Sequence, residues 1–183
     1  MSLARTRIAV RLIAVAALAA LTAGCFQPMY AERNDGKPGL REKLMGVEIP
    51  PVDKPNASRE ARIQVEIRNA LAFKLYGNAT GMPPTHRLVL RFGTSRSSLM
   101  LDPATALPSS ENVGIDAQYN LIDLATNKSV MTGTTFSRVS YDIPGQLQRF
   151  ARQRAFRDAE DRAANEIAEN IQTRLASFFY AGT

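Results

Sequence analysis

Between residues 156 and 178, seven apolar side chains (Phe156, Ala159, Ala163, Ile167, Ile171, Leu175 and Phe178) recur at intervals of 3, 4, 4, 4, 4 and 3. That spacing holds them on one side of an α-helix for more than five turns, and it predicts a helix from about 148 to 179. A stripe this long has to lie on something flat and apolar. The chain offers one such surface. Leu88, Leu90 and Phe92 alternate with Arg87, Val89 and Arg91, and Val113, Ile115, Ala117, Tyr119 and Leu121 alternate with Gly114, Asp116, Gln118 and Asn120. A period of two is a strand with one buried face. Residues 130–141 are rich in Thr, Val, Phe and Tyr, which favour strands. Ala125-Thr126-Asn127-Lys128 is a short polar tip that joins the last two strands into an antiparallel hairpin. Leu99 to Leu101 extend the first of these strands past a bulge near Gly93, and 102–112, with two prolines, reads as a surface loop.

Two elements precede the sheet. Leu44 to Ile49 is a short strand candidate closed by Pro50-Pro51. Ile63, Ile67, Ala70, Leu71 and Leu75 then recur at helical spacing, with Asn56 or Ser58 as cap and Gly77-Asn78 as stop. The expected fold is α+β, with two helices packed on one face of a four-stranded sheet, in the order β-α-β-β-β-α. The domain is expected to span 44–180.

The N-terminus is of a different kind. Arg5, Arg7 and Arg11 are followed by an apolar run from Ile13 to Leu21, then Thr22-Ala23-Gly24-Cys25. The run is short for a bilayer span, which takes about 20 residues, and suits the core of an export signal. Thr22-Ala23-Gly24-Cys25 resembles the bacterial lipobox, in which the cysteine is lipidated and becomes the new N-terminus. The expected division is a signal peptide at 1–24, a lipidated tether at 25–43 with a diacylglycerol and an N-acyl chain on Cys25, and the domain beyond. A single-pass anchor or a secreted protein with a free Cys is the alternative. Removing 1–24 removes three Arg and no acid, so the net charge falls from +6 to 6 − 3 = +3. That small excess on an exported chain takes most of the support from a nucleic-acid partner. With one Cys and one His in the chain, no cysteine-based zinc site is available, and nucleophilic catalysis would rest on His86 alone. His86, at a strand start, is expected to be an exposed or capping residue. No catalytic residue, metal site or cofactor other than the acyl chains is expected.

The candidate chemistry is electrostatic. Arg149, Arg152, Arg154 and Arg157 are four arginines within nine residues, with no acid among them. They fall at a helix N-terminus, where cations are disfavoured unless an anion is near. Arginine grips phosphate with two parallel hydrogen bonds. Arg149 and Arg152 project on the face of Phe156 and Ile167, and unpaired arginines do not enter a core. Either the helix starts later, or its first turns overhang the sheet and present arginines to a partner. Pairing with Asp158, Glu160 and Asp161 at a solvated helix end is the other reading. Arg87 and Arg91 lie opposite Leu88 and Leu90; with Arg96 and Lys128 they make a second basic patch or an ordinary wet strand face.

The order of elements, the segment Cys25-Phe26-Gln27-Pro28-Met29-Tyr30, a strand opening with Gly114, Asp116 and Tyr119, and the helix run Asp158 to Ala164 together resemble the LptE family of lipopolysaccharide-assembly lipoproteins, in its alphaproteobacterial branch. The resemblance implies a non-enzymatic outer-membrane lipoprotein that enters the lumen of the β-barrel LptD from the periplasmic side, helps it assemble, and assists lipopolysaccharide delivery to the outer leaflet. By resemblance to enteric lipoproteins, Phe26 rather than Asp after the Cys implies transfer to the outer membrane rather than retention in the inner one. On this reading Arg149, Arg152, Arg154, Arg157, Arg87, Arg91, Arg96 and Lys128 are candidate contacts to lipopolysaccharide or barrel. A free lipid-anchored periplasmic module that binds an anionic envelope lipid or polymer is the alternative.

Overall fold

The computed structural model describes residues 36, 38–51, 57–77, 82–103, 105, 107–143 and 148–181. Its elements are α1 (Leu40–Met45), β1 (Val47–Glu48), α2 (Arg59–Tyr76), β2 (His86–Leu101), β3 (Pro108–Asp123), β4 (Lys128–Asp142) and α3 (Arg149–Ala181). The expected signal peptide, Cys25 and the expected tether up to residue 35 lie outside the described residues. The strands form one mixed sheet in the order β1-β2-β3-β4, parallel between β1 and β2 and antiparallel elsewhere. The α+β class and the succession of the expected elements hold, with one helix added at the front.

That helix, α1, replaces the start of the expected 44–49 strand. Leu40 and Leu44 are one turn apart and both are buried, so α1 caps the core with its apolar side. Residues 40–43, assigned to the tether, are thus helical. The strand shrinks to Val47–Glu48, because Pro50 and Pro51 lack the N–H groups that would extend its ladder. Val47 is buried, and its carbonyl accepts a hydrogen bond from the Tyr76 hydroxyl of α2.

Helix α2 starts at Ser58, whose hydroxyl accepts from the Ala61 N–H at 3.0 Å, and ends at Gly77, which has φ +62°. Its buried face is Ala61, Ile63, Ile67, Leu71 and Leu75. Helix α3 buries a wider band than one stripe: Ala159, Ala163, Ile167, Ile171 and Leu175, but also Glu160, Ala164, Ala168, Ala176 and Phe179. The second row arises because α3 lies between two partners, the β3–β4 face on one side and α2 on the other. Its alanines let the helices approach closely. Phe179, rather than Phe178, takes the fully buried place at the end of the band.

On the sheet, Leu88, Leu90 and Phe92 of β2 pack toward the helices, as do the odd-numbered residues Val113 to Leu121 of β3 and Ser137, Val139 and Tyr141 of β4. The opposite face carries no helix among the described residues. Two expectations fail at the β2–β3 end. The bulge lies between Ser98 and Met100, while Gly93 pairs regularly with Asp116. The loop is shorter than 102–112, since β3 begins at Pro108, where the missing N–H sits at a strand start, and the Asp102 N–H closes the hairpin on Leu107 O at 2.8 Å.

Candidate functional site

The long hairpin β2–β3 and the N-terminus of α3 end at the same edge of the sheet. Ser110 pairs with Asp142, the last residue of β4, and the Ile143 N–H bonds Ser109 O at 2.9 Å before the chain enters α3. This shared end is called distal below. Helix α3 starts at Arg149, as early as the sequence allowed, yet its first buried residue is Ala159. The first six residues hold no buried side chain, and packing begins with Ala155 and Phe156, which are partly buried against the core; of the two arrangements weighed for this helix, the early start is the one found, with its first turns left unburied.

The acids expected to neutralise the first turns of α3 face elsewhere. Asp158 pairs with Arg162 at 2.9 Å, Asp161 with Arg62 at 2.6 Å, and Glu160, 1% exposed, pairs with Arg59 and Arg62 of α2. Among the described residues Arg149, Arg154 and Arg157 form no ion pair and are exposed. Arg152 differs. It stands 3.5 Å from Glu111, an acid of β3 that is only 6% exposed.

Glu111 organises the distal end. Its carboxylate accepts hydrogen bonds from the Tyr141 hydroxyl of β4 and from Arg96 of β2, with Arg152 beyond them. Arg96 also lies 4.7 Å from the centre of the Phe156 ring, on which Arg59 stacks at 4.9 Å, and Tyr141 packs against the same ring at 5.9 Å. Burial pushes the Glu111 carboxyl up, but the Tyr141 and Arg96 hydrogen bonds and the charges of Arg96 and Arg152 outweigh it, so its pKa falls below the usual value. Burial first, and the bond to Glu111 second, push the Tyr141 hydroxyl up to about 12. Glu111 thus fixes Arg96 and Arg152 with respect to the exposed arginines at the start of α3.

The second basic patch is not one patch. Arg96 joins the start of α3 through Glu111. Arg87 lies near the other end of β2, where it pairs with Glu48 at 2.8 Å, and Lys128 opens β4 at that same end, opposite Asp123. Arg91 lies on the open face in the middle of the sheet and forms no ion pair among the described residues. His86 is neither exposed nor a cap. It is half-buried, edge-on to the Phe179 ring at 5.1 Å, with Thr85 Oγ1 at 2.9 Å from its Nδ1. Burial lowers its pKa, against a weaker pull from Asp123.

The distal end also bears apolar residues that the sequence reading did not single out. Leu99, Met100, Leu101 and Leu107 at the hairpin tip are 42–65% exposed, and Phe150 at the start of α3 is 85% exposed. Exposed apolar side chains and cations at one end of a small domain are the composition of an interaction surface. It suits an amphiphile with acidic groups, or a protein wall with a mixed lining.

Helices laid on one face of a mixed sheet define an α+β domain, here with exposed cations and apolar side chains at one end. Comparison with protein families makes this specific: the LptE family model, described as lipopolysaccharide-assembly, matches residues 44–175, and the chain belongs to that family. No curated protein matches it in sequence. Among solved structures, a Caulobacter crescentus CB15 protein described as a lipoprotein shares 23% identity at a TM-score of 0.59, over 79% of this chain and 97% of that one. Rare lipoprotein B from Shewanella oneidensis shares 15% identity at a TM-score of 0.51, over 72% of this chain and 92% of that one. At these identities the two structures speak to the fold alone.

Proposed function

We propose that this protein is the lipid-anchored plug and assembly partner of the lipopolysaccharide-exporting β-barrel LptD, moored in the outer membrane through acyl chains on Cys25 and seated in the barrel lumen from the periplasmic side. It acts by binding and performs no catalysis. Membership of a lipopolysaccharide-assembly family supports the process. The observation that supports a working end is the start of α3: Arg149, Arg154 and Arg157 are exposed and form no ion pair among the described residues, Phe150 between them is exposed, and Arg96 and Arg152 are held by the buried Glu111. Cations beside greasy side chains match a glycolipid with phosphates on its headgroup. The polar open face of the sheet suits a barrel lumen, which is itself polar. In this reading the distal end points into the barrel and meets lipid or wall, while Arg87 and Lys128 lie at the opposite end, toward the periplasm.

Two measurements test it together. Gentle detergent extraction of the full-length protein from cells should recover a large outer-membrane barrel with it. A photoreactive residue in place of Arg149 should crosslink to that barrel or to lipopolysaccharide. Extraction that yields the protein alone, with no crosslink to either, rejects the plug.

A further inference from the structure

The two edges of the sheet are finished differently. At β1 the strand is two residues long, the Tyr76 hydroxyl occupies the Val47 carbonyl, and Arg68 Nε donates to Pro50 O at 3.3 Å. A short strand with its backbone groups covered is a closed edge. Strand β4 is 15 residues long, and among the described residues no strand lies beyond it. Its bulge, at Val130, leaves Met131–Asp142 in regular register, and that stretch contains no proline. Its one cation, Arg138, is turned back onto Asp116 at 2.7 Å. None of the usual guards of an edge strand is therefore present along it.

Which backbone groups face outward follows from the pairing. The Ile143 N–H bonds Ser109 O at 2.9 Å, and the pairs from Ser110↔Asp142 to Leu121↔Met131 continue in one register. In an antiparallel ladder, successive residues point N–H and C=O to one neighbour and then to the other. The odd-numbered residues from Met131 to Tyr141 therefore bond β3. Thr132, Thr134, Phe136, Arg138, Ser140 and Asp142 turn both groups to the free edge, and their side chains are exposed on the open face. Phe136, 66% exposed, is the large apolar member of this row and sits midway between Thr132 and Ser140.

We propose that this edge binds a second copy of the chain, β4 against β4, about a two-fold axis between the two Phe136 residues, so that the two sheets become one. Charge selects the antiparallel arrangement. Lys128 starts the strand and Asp142 ends it, so antiparallel copies bring unlike ends together, and parallel copies would bring like ends together. A two-fold axis lets the same edge serve both partners. With the axis at Phe136, Thr132 faces Ser140 of the other copy and Thr134 faces Arg138. The two Phe136 rings meet on the open face, an aromatic cross-strand pair. On the inner face Met131, half-buried, comes opposite Tyr141 of the other copy. An extended segment of an unrelated protein would find the same backbone groups, but neither the Phe136 match nor the unlike ends. One strand edge buries less than the about 1,200 Å² of a tight interface, so the dimer is weak and reversible. The inference stands apart from the barrel reading, because it concerns the purified chain alone.

Residues 26–183 keep every described element and omit the one cysteine of the chain, which makes them suitable for the test. Sedimentation equilibrium from about 5 to 500 μM should show a monomer–dimer equilibrium, with a dissociation constant on the order of 10–100 μM. Thr134→Pro removes an N–H that the fold does not use and sets a ring on the edge, where proline is tolerated. It should stay folded and raise the constant at least about tenfold. Phe136→Lys sets two like charges together at the axis and should do the same; it decides the matter if the proline variant does not fold. Phe136→Cys should give a disulfide-linked dimer on mild oxidation, since facing Cα atoms of such a pair lie about 5.5 Å apart. Thr132→Cys, which faces Ser140 rather than its own counterpart, should not. A chain that stays monomeric over the whole range overturns the proposal. So does a dimer that Thr134→Pro and Phe136→Lys leave unchanged, which would place the contact off this edge. A disulfide that forms through Thr132→Cys and not through Phe136→Cys rejects the pairing about Phe136.

Discussion

A carboxylate on a buried face has to be explained by its neighbours, and Glu111 is explained by three: Tyr141, Arg96 and Arg152. The alternation that identified Val113 and Ile115 as inward-facing places Glu111, two residues earlier, on the same side. Its burial was therefore legible, and the reading stopped short only because two prolines made 102–112 look like a loop. Which cations answer it was not legible, since Arg96 and Arg152 come from elements that strand pairing and the start of a helix bring together. The cluster has a pH signature. Tyr141 has a folded pKa of about 12 against an ordinary 10.0, so its contribution to stability is present below pH 10 and is lost as pH rises from 10 to 12. Tyr141→Phe should lower stability at pH 8 by about 1–2 kcal/mol, through the lost bond to a charged acceptor. It should also flatten the decline between pH 10 and 12. Urea midpoints of both proteins at the two pH values check this; parallel curves would mean that Tyr141 is not the group that titrates.

At the scale of elements, period and pattern reached far. The stripe of α3, the alternation of β2 and β3 and the cap at Ser58 all rest on local geometry, which a sequence displays directly. The failures have tertiary causes. Helix α1 is six residues long, below the length at which helical periodicity can be told from chance, and it holds because Leu40 and Leu44 are buried. Glu160 is not one of the seven residues of the stripe, yet it is buried, because α2 covers a second side of α3 and supplies Arg59 and Arg62. The row Ala164, Ala168 and Ala176 was the available sign of that contact. Since Glu160 ties the two helices, Glu160→Ala should cost about 2–3 kcal/mol, by leaving two guanidiniums without their acceptor beside a packed interface. The partners remain partly exposed, so the loss stays short of that for a fully buried charge. Chemical denaturation gives the number, and a change within about 0.5 kcal/mol would mean that alanine packing alone joins α2 to α3.

At the scale of the molecule, the two ends of the sheet are electrically different objects. At the β1 end Arg87 is neutralised by Glu48, and Asp123 lies opposite Lys128. At the distal end Arg149 stands in the first turn of α3, where there is no acid, and Arg154 and Arg157 follow in its second and third turns. A cation in the first turn opposes the helix dipole, at about 0.3–1 kcal/mol when exposed, and the effect fades beyond that turn. The fold therefore carries Arg149 at a loss of stability and draws no ion pair from Arg154 or Arg157 among the described residues, and that separates folding from binding in one experiment. The triple variant Arg149→Glu, Arg154→Glu, Arg157→Glu should melt at or slightly above the wild-type temperature, because acids suit a helix N-terminus. Its recovery of barrel and lipopolysaccharide from detergent extracts should nevertheless fall sharply, most of all at low salt, where unscreened charge acts furthest. Arg152→Glu should behave differently and lose stability, since it sets a second acid beside Glu111. If the triple variant is destabilised, the start of α3 is structural and its arginines are held by the fold. If it melts as predicted and keeps its partners, binding lies elsewhere, with the apolar tip of Leu99, Met100 and Leu101 as the remaining surface at that end.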